Sequence, residues 1–138
     1  MSDKKIQVGI LMGSKSDQDT MKEVETVLKD KGVAFETTVL SAHRNPDEVR
    51  EYAKNAKSKG LKVIICGAGM SAALAGVVSS FTPLPVIGIP MDTKNLGGMD
   101  SLLSTVQMPS GVPVASMAIG KAGAKNAAYF AIRILNLL

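Results

Sequence analysis

Short apolar stretches alternate with longer amphipathic stretches along the chain, and this alternation constrains the fold more than any other feature. Five of the apolar stretches predict β-strands, over residues 6–11, 35–40, 63–66, 86–89 and 112–118. They are nearly continuous in apolar residues, as expected of parallel strands that helices cover on both faces. The sequence therefore predicts an α/β fold, a three-layer doubly wound parallel sheet built from β-α-β units.

Four stretches predict the helices of these units. They lie between Asp17 and Gly32, between Pro46 and Gly60, over residues 71–80 and over residues 122–138. In the first of them apolar side chains recur at helical spacing, and a proline opens the second. A length of 138 residues suits one domain, 1–138, because two domains would each be too small to bury a good core.

Composition argues against two classes of partner. The net charge is +4, but the lysines are spread along the predicted helices, where they indicate solvated faces. Aromatic residues make up 4% of the chain, too few for the stacking platforms that hold single-stranded nucleic acid. No apolar run approaches the roughly 20 residues that cross a bilayer. We therefore expect no nucleic-acid partner and no membrane; a small phosphorylated molecule suits the positive charge better.

The chain begins without a recognisable secretion signal, and its single cysteine cannot form an internal disulfide. Cys66 lies within an apolar stretch, where a buried and unreactive thiol is expected. These features favour a cytoplasmic protein.

Polar residues follow the first predicted strand, at the edge where doubly wound sheets bind ligands. Ser14, Ser16 and Asp17 stand in the turn that leads into the first helix. Free backbone N–H groups, the helix dipole and two hydroxyls there could hold a phosphate. The alternative is that Ser16 or Asp17 only caps the helix.

The second strand is followed by Ser41, Ala42, His43 and Arg44, and His43 is the only histidine of the chain. A single histidine is more often structural than catalytic. Its place at the carboxyl edge of the sheet, beside an arginine that could bind an anion, favours catalysis, because imidazole takes up and releases protons near neutral pH.

The third strand leads into Gly67, Ala68 and Gly69, where small residues let the backbone approach a ligand. The stretch also matches the dinucleotide pattern G-x-G-x-x-A, with Asp92 farther along as a candidate ribose-binding residue. Two facts argue against a nicotinamide-dinucleotide site. The pattern follows the third strand instead of the first, and little chain remains for a substrate domain.

Four sequence blocks carry a family resemblance. They begin at Met12, Ser41, Asp100 and Ala118 and read MGSKSD, SAHRNP, DSLLSTVQMPSGVPVA and AIGKAGAKNAA. In this order they resemble the N5-carboxyaminoimidazole ribonucleotide mutase family, also described as the catalytic subunit of phosphoribosylaminoimidazole carboxylase. The resemblance covers residues 6–138 and implies a purine-biosynthesis enzyme that forms a homo-octamer. The expected fold is of the flavodoxin-like type.

The resemblance also implies roles for the residues named above. Those expected to contact the ribose phosphate are Ser14, Ser16 and Asp17, with Asp17 on the ribose hydroxyls. Those expected to surround the ligand are Ser41, Ala42 and Arg44, with Arg44 near the phosphate, and those expected to border its carboxylate are Gly67, Ala68 and Gly69. His43 would move a proton while the carboxyl group leaves the exocyclic nitrogen as CO2 and joins carbon 4 of the imidazole. This scheme requires no metal and no organic cofactor.

Some markers depart from the mutase pattern. Ala73 stands where mutases carry a second active-site histidine. Residues 69–76 resemble the sister class, which carboxylates aminoimidazole ribonucleotide directly with CO2, whereas Arg44 and the QMP block resemble the mutases. The chain also stops where many relatives continue into a C-terminal helical tail. Direct carboxylation and a non-catalytic nucleotide-binding paralogue are therefore the alternatives.

Overall fold

Residues 4–138, which the computed structural model describes, form five strands and five helices. The strands are β1 (Val8–Met12), β2 (Phe35–Val39), β3 (Val63–Ala68), β4 (Val86–Pro90) and β5 (Ala115–Ser116). The helices are α1 (Gln18–Asp30), α2 (Pro46–Ala56), α3 (Leu74–Phe81), α4 (Met99–Val106) and α5 (Lys121–Leu135). A short 3-10 turn, Lys15–Asp17, precedes α1.

The five strands form one parallel sheet in the order β2-β1-β3-β4-β5. This is the strand order of flavodoxin-like sheets, and it confirms the predicted doubly wound α/β fold. Helices α1 and α5 cover one face of the sheet, and α2 and α3 cover the other. In the part of the chain that the structure describes, no helix is long and apolar enough to cross a bilayer.

Strand β3 explains why the central strands are apolar throughout. Val63 and Ile65 pack against α1 and α5, whereas Ile64 and Cys66 pack against α2 and α3. Because side chains alternate between the two faces and helices cover both, every position must be apolar. Cys66 is buried as predicted, and burial raises the pKa of its thiol, so that the sulfur stays protonated.

All five strands differ from their predicted bounds by at least one residue, and the structure gives a reason for two of the differences. Strand β3 runs two residues past the predicted end, because Gly67 still pairs with Met12 of β1 and with Ile89 of β4. The prediction that Gly67 lies in a loop is therefore wrong. Strand β5 is reduced to two residues. Pro113, inside the predicted strand, has no backbone N–H to donate to a sheet.

Helix α3 begins at Leu74, three residues later than predicted. The Ala73 N–H donates to the Ser71 carbonyl at 2.9 Å, which closes a tight turn where the helix was expected to start, and Met70 just before this turn adopts a positive φ of 57°. The residues after β3 therefore form a loop at the edge of the sheet, and this loop belongs to the site described next.

Candidate functional site

A cavity of about 550 Å³ opens at the carboxyl edge of the sheet. Residues that follow β1, β2, β3 and β4 line it. Strands β1 and β3 are neighbours in the sheet, but α1, which follows β1, and α3, which follows β3, lie on opposite faces. The chain therefore leaves the two strand ends in opposite directions, and a crevice opens between them. Doubly wound proteins bind their ligands at such a switch point, and the volume suits a small molecule.

The turn after β1 is held by Ser14. Its Oγ accepts a hydrogen bond from the backbone N–H of Ser16 at 3.2 Å and lies 2.9 Å from the Ser16 Oγ. The backbone N–H of Asp17 donates to the Ser14 carbonyl at 3.0 Å. Asp17 is the N-cap residue of α1 but makes no side-chain cap hydrogen bond, and the capping hydroxyl in this segment is that of Ser14, which caps the 3-10 turn. The exposed hydroxyls of Ser14 and Ser16 therefore face the cavity.

Asp17 is the least solvated acid of the cavity. Burial raises the pKa of its carboxyl group, and a hydrogen bond from the backbone of Ser14 lowers it only in part. An ionised carboxylate that is partly desolvated costs folding free energy. Such a group is typical of a binding or catalytic site, where a ligand supplies the missing partners.

We expect Asp17→Asn to raise the melting temperature of the unliganded protein at pH 7. The substitution removes the ionised carboxylate that the fold solvates poorly. Because the folded-state pKa of Asp17 is raised, its cost is absent below the unfolded pKa of about 3.9 and grows as the pH rises through the folded pKa. Thermal unfolding at pH values between about 3 and 7 measures this, and the gain over the wild type should shrink towards the acid end.

Asp19→Asn is the matched control, because Asp19 lies two residues after Asp17, in the first turn of α1, and its side chain is exposed. Its carboxylate pairs with the Lys121 Nζ at 3.2 Å and lies near the positive end of α1, so its loss should lower stability slightly. An unchanged or lower melting temperature for Asp17→Asn at pH 7 would contradict the desolvation argument.

The turn after β2 positions the histidine and the arginine. The Ser41 Oγ accepts the backbone N–H groups of His43 at 3.2 Å and of Arg44 at 3.1 Å. The Asn45 N–H closes the turn on the Ser41 carbonyl at 2.8 Å, and Pro46 starts α2 directly afterwards. The backbone is thus fixed while the imidazole and the guanidinium stay exposed in the cavity. Within residues 4–138 no ion pair engages Arg44, so its charge is available to an anion.

The loop after β3 forms the middle of the cavity wall. The cavity is lined here by Ala68, the last residue of β3, and by Gly69, Met70 and Ala73 after it, and Met70 is 68% exposed. The lack of a side chain at Gly69 matters, because a Cβ there would come within 3.3 Å of the Met91 Cβ. The loops after β3 and β4 therefore touch.

The residues after β4 are the part of the cavity that we did not predict. The sequence predicted a role for Asp92 only in a dinucleotide site and no role for Thr93 or Lys94, yet all three line the cavity. The sequence does contain a signal for these three residues, because they are polar and directly follow a buried apolar strand. The rule that ligands lie beyond the carboxyl ends of parallel strands applies to β4 as well as to the first three.

The cavity thus collects the predicted site residues with one exception. Lining it are Ser14, Ser16, Asp17, Ser41, Ala42, His43, Arg44, Ala68 and Gly69. Gly67 does not line it, since it is a buried residue of β3 packed against Met21 and Met91. In the described part of the chain, no three His, Cys, Asp or Glu side chains are grouped so as to hold a metal ion.

The fold and the cavity define the class: a flavodoxin-like α/β protein with a small-molecule site that combines a histidine, an arginine and a serine-rich turn. The profile of the AIR carboxylase family matches residues 7–138. The chain belongs to this family.

Relatives agree with this assignment. The N5-carboxyaminoimidazole ribonucleotide mutase of Saccharolobus solfataricus is 56% identical over 131 residues, which are 95% of this chain and 82% of that protein. The bifunctional purine synthesis protein purC/E of Dictyostelium discoideum is 57% identical over 128 residues, 93% of this chain but 13% of that protein. The crystal structure of Treponema denticola PurE superposes with a TM-score of 0.85 at 32% identity and covers 95% of this chain and 80% of that one.

Proposed function

We propose that this protein acts in purine biosynthesis and interconverts N5-carboxyaminoimidazole ribonucleotide and 4-carboxy-5-aminoimidazole ribonucleotide, with His43 as general acid and base. The observation that carries the proposal is the shared cavity. The imidazole of His43, the guanidinium of Arg44, which no ion pair engages within residues 4–138, and the hydroxyls of Ser14 and Ser16 line the same space at the switch point of the sheet. N5-carboxyaminoimidazole ribonucleotide mutase is also the name of relatives that are 51–56% identical to this chain.

The cavity suits the parts of such a ribonucleotide. The phosphate would bind between Arg44 and the hydroxyls of the turn after β1, because a guanidinium and free donors at a helix start are preferred phosphate ligands. The carboxylate of Asp17 would accept hydrogen bonds from the ribose hydroxyls, which compensates for its poor solvation. The imidazole ring of the ligand would then lie towards Gly69 and His43.

His43 has two proton transfers to perform. The bond between the exocyclic nitrogen and the carboxyl carbon breaks, CO2 is released, and the nitrogen receives a proton from the imidazolium. Carbon 4 then attacks the retained CO2, and the neutral imidazole removes the proton from carbon 4. Atoms and charge balance without a further reactant. The cavity walls need only hold CO2 beside carbon 4 until the new bond forms.

Direct carboxylation of aminoimidazole ribonucleotide with CO2 is the second candidate. Ala73 lines the cavity, so no second imidazole stands at that position to assist His43. The two reactions share the nucleotide, CO2 and His43. They differ in whether the carboxyl carbon comes from the substrate or from the solvent.

A labelling assay separates these reactions. N5-carboxyaminoimidazole ribonucleotide is supplied in buffer that contains ¹³C-bicarbonate, and aminoimidazole ribonucleotide is supplied with and without bicarbonate. We expect carboxylated product from the first substrate, with little ¹³C in its carboxyl group. Product formed only from aminoimidazole ribonucleotide, with full ¹³C incorporation, would overturn the mutase proposal in favour of the carboxylase.

The proposal extends to assembly and location, as a homo-octamer in the cytoplasm. Apolar side chains on one side of α4 and just before it are exposed in the single chain, and a subunit interface would cover them. They are Leu96, Met99, Leu103 and Val106. No metal or organic cofactor enters the proposed reaction.

A further inference from the structure

Two positively charged side chains from different loops face the cavity. Arg44 follows β2, and Lys94 follows β4. Strands β1 and β3 lie between them in the sheet. Since neighbouring strands are about 4.8 Å apart, the ends of β2 and β4 are separated by roughly 14 Å. A ligand with anionic groups at its two ends can therefore engage both cations.

The backbone that carries Lys94 is held in place. The Thr93 Oγ1 donates to the Asp100 Oδ1 at 2.5 Å and accepts the Gly98 N–H at 2.9 Å. The Thr93 carbonyl accepts the Gly97 N–H at 2.9 Å. These bonds fold the segment between β4 and α4 back on itself, so Lys94 projects from a fixed turn and not from a free loop.

Charge balance around Lys94 favours an anionic ligand. Asp100 is the nearest acid on the following helix, but its Oδ1 is engaged by Thr93. Within residues 4–138 no ion pair includes Lys94 or Asp92. Lys94 therefore lines the cavity without a carboxylate partner in the described part of the chain, and Asp92 adds a negative charge nearby that would oppose an anion.

We propose that Lys94 binds the carboxylate of the carboxylated ribonucleotide, at the opposite end of the cavity from the phosphate. Gly69 supports this location, because the Thr93 Cγ2 would lie 3.4 Å from a Cβ built on Gly69, so the turn that carries Lys94 adjoins the glycine loop. The inference rests on the proposed function, since both carboxylated ribonucleotides of the proposed reaction carry a phosphate at one end and a carboxylate at the other. Asp92 weakens this binding and so favours release of the product.

Calorimetric titration with two nucleotides tests the assignment. Lys94→Met should weaken binding of 4-carboxy-5-aminoimidazole ribonucleotide by about ten-fold and leave binding of uncarboxylated aminoimidazole ribonucleotide nearly unchanged, because only the former loses a charged hydrogen bond. Lys94→Arg should restore most of the loss. Asp92→Asn should strengthen binding of the carboxylated nucleotide only. Lys62→Met, an exposed lysine that does not line the cavity, is the matched control.

The outcomes separate this inference from the proposed function. If the wild type binds both nucleotides and Lys94→Met weakens both equally, Lys94 contacts the shared ribose phosphate and the assignment is wrong. If Lys94→Met changes neither affinity, Lys94 contacts no part of the ligand. If the wild type binds neither nucleotide, the proposed function itself fails, and the role of Lys94 fails with it.

Discussion

His43→Asn should lower the turnover of N5-carboxyaminoimidazole ribonucleotide by about 10²- to 10⁴-fold, the usual contribution of a general acid-base group. Asparagine keeps a polar side chain of similar length but cannot take up and release a proton near neutral pH. The substitution should leave folding intact, because the His43 side chain is exposed and its backbone N–H bond to Ser41 does not depend on the imidazole. Steady-state kinetics and nucleotide titration together measure the effect.

Comparing the effect of His43→Asn on turnover with its effect on nucleotide affinity distinguishes proton transfer from a structural role. Turnover should fall, while the affinity for 4-carboxy-5-aminoimidazole ribonucleotide changes little. Lys57→Gln, a change at an exposed residue just after α2, should alter neither quantity. Turnover within a few-fold of the wild type would exclude His43 as the proton carrier. A wild type that binds nucleotide but never turns it over would instead support the non-catalytic paralogue.

The sheet could be predicted from sequence because burial on both faces leaves a simple pattern. Each of β1, β3 and β4 is buried at nearly every position, which produces the uninterrupted apolar stretches. The order of the strands is not encoded locally. It follows from which helix covers which face, and in the sequence only the resemblance to a flavodoxin-like family indicated it.

Strand ends were harder to predict than strands. Gly67 reads as a loop residue, yet it continues β3 because neighbouring strands supply hydrogen-bond partners on both sides. Its lack of a side chain makes room for Met21 and Met91, a contact between residues far apart in sequence. A contact of this kind leaves no signal in the residues next to the glycine, so a glycine within a strand is easily mistaken for a turn residue.

The candidate site was predicted where motifs were short and contiguous. Ser14 and His43 each stand directly after a strand, in blocks that carry the family resemblance. Lys94 also follows a buried apolar strand but lies in none of those blocks, and its place beside the other site residues depends on β4 lying beside β3 and on the turn that Thr93 stabilises. The contribution of a residue to a shared cavity is a property of topology, which the spacing along the chain does not report.

Gly123→Ala should destabilise the protein by about 2 kcal/mol or more, although alanine is the better helix former by about 1 kcal/mol. Gly123 is a buried residue in the first turn of α5, and a Cβ there would overlap the carbonyl oxygen of Ala118. A flexible side chain could move away, but this obstacle is backbone. The segment that contains it is anchored to the sheet on both sides, because Met117 donates to the Gly88 carbonyl and Gly120 donates to the Pro90 carbonyl, each at 2.9 Å.

Urea unfolding of Gly123→Ala and of a matched variant, Gly13→Ala, measures this conflict between helix propensity and packing. A Cβ on Gly13 would meet only the Ala68 Cβ, at an ordinary distance of 3.8 Å, so that variant should stay within about 0.5 kcal/mol of the wild type. A lower midpoint with an unchanged m-value for Gly123→Ala would indicate lost stability of the native state. If Gly123→Ala is instead more stable than the wild type, the helix propensity of alanine outweighs the steric overlap with the Ala118 carbonyl. The start of α5 must then be able to move away from β5. The close approach of α5 to the sheet would then be a preference of the chain and not a requirement of the fold.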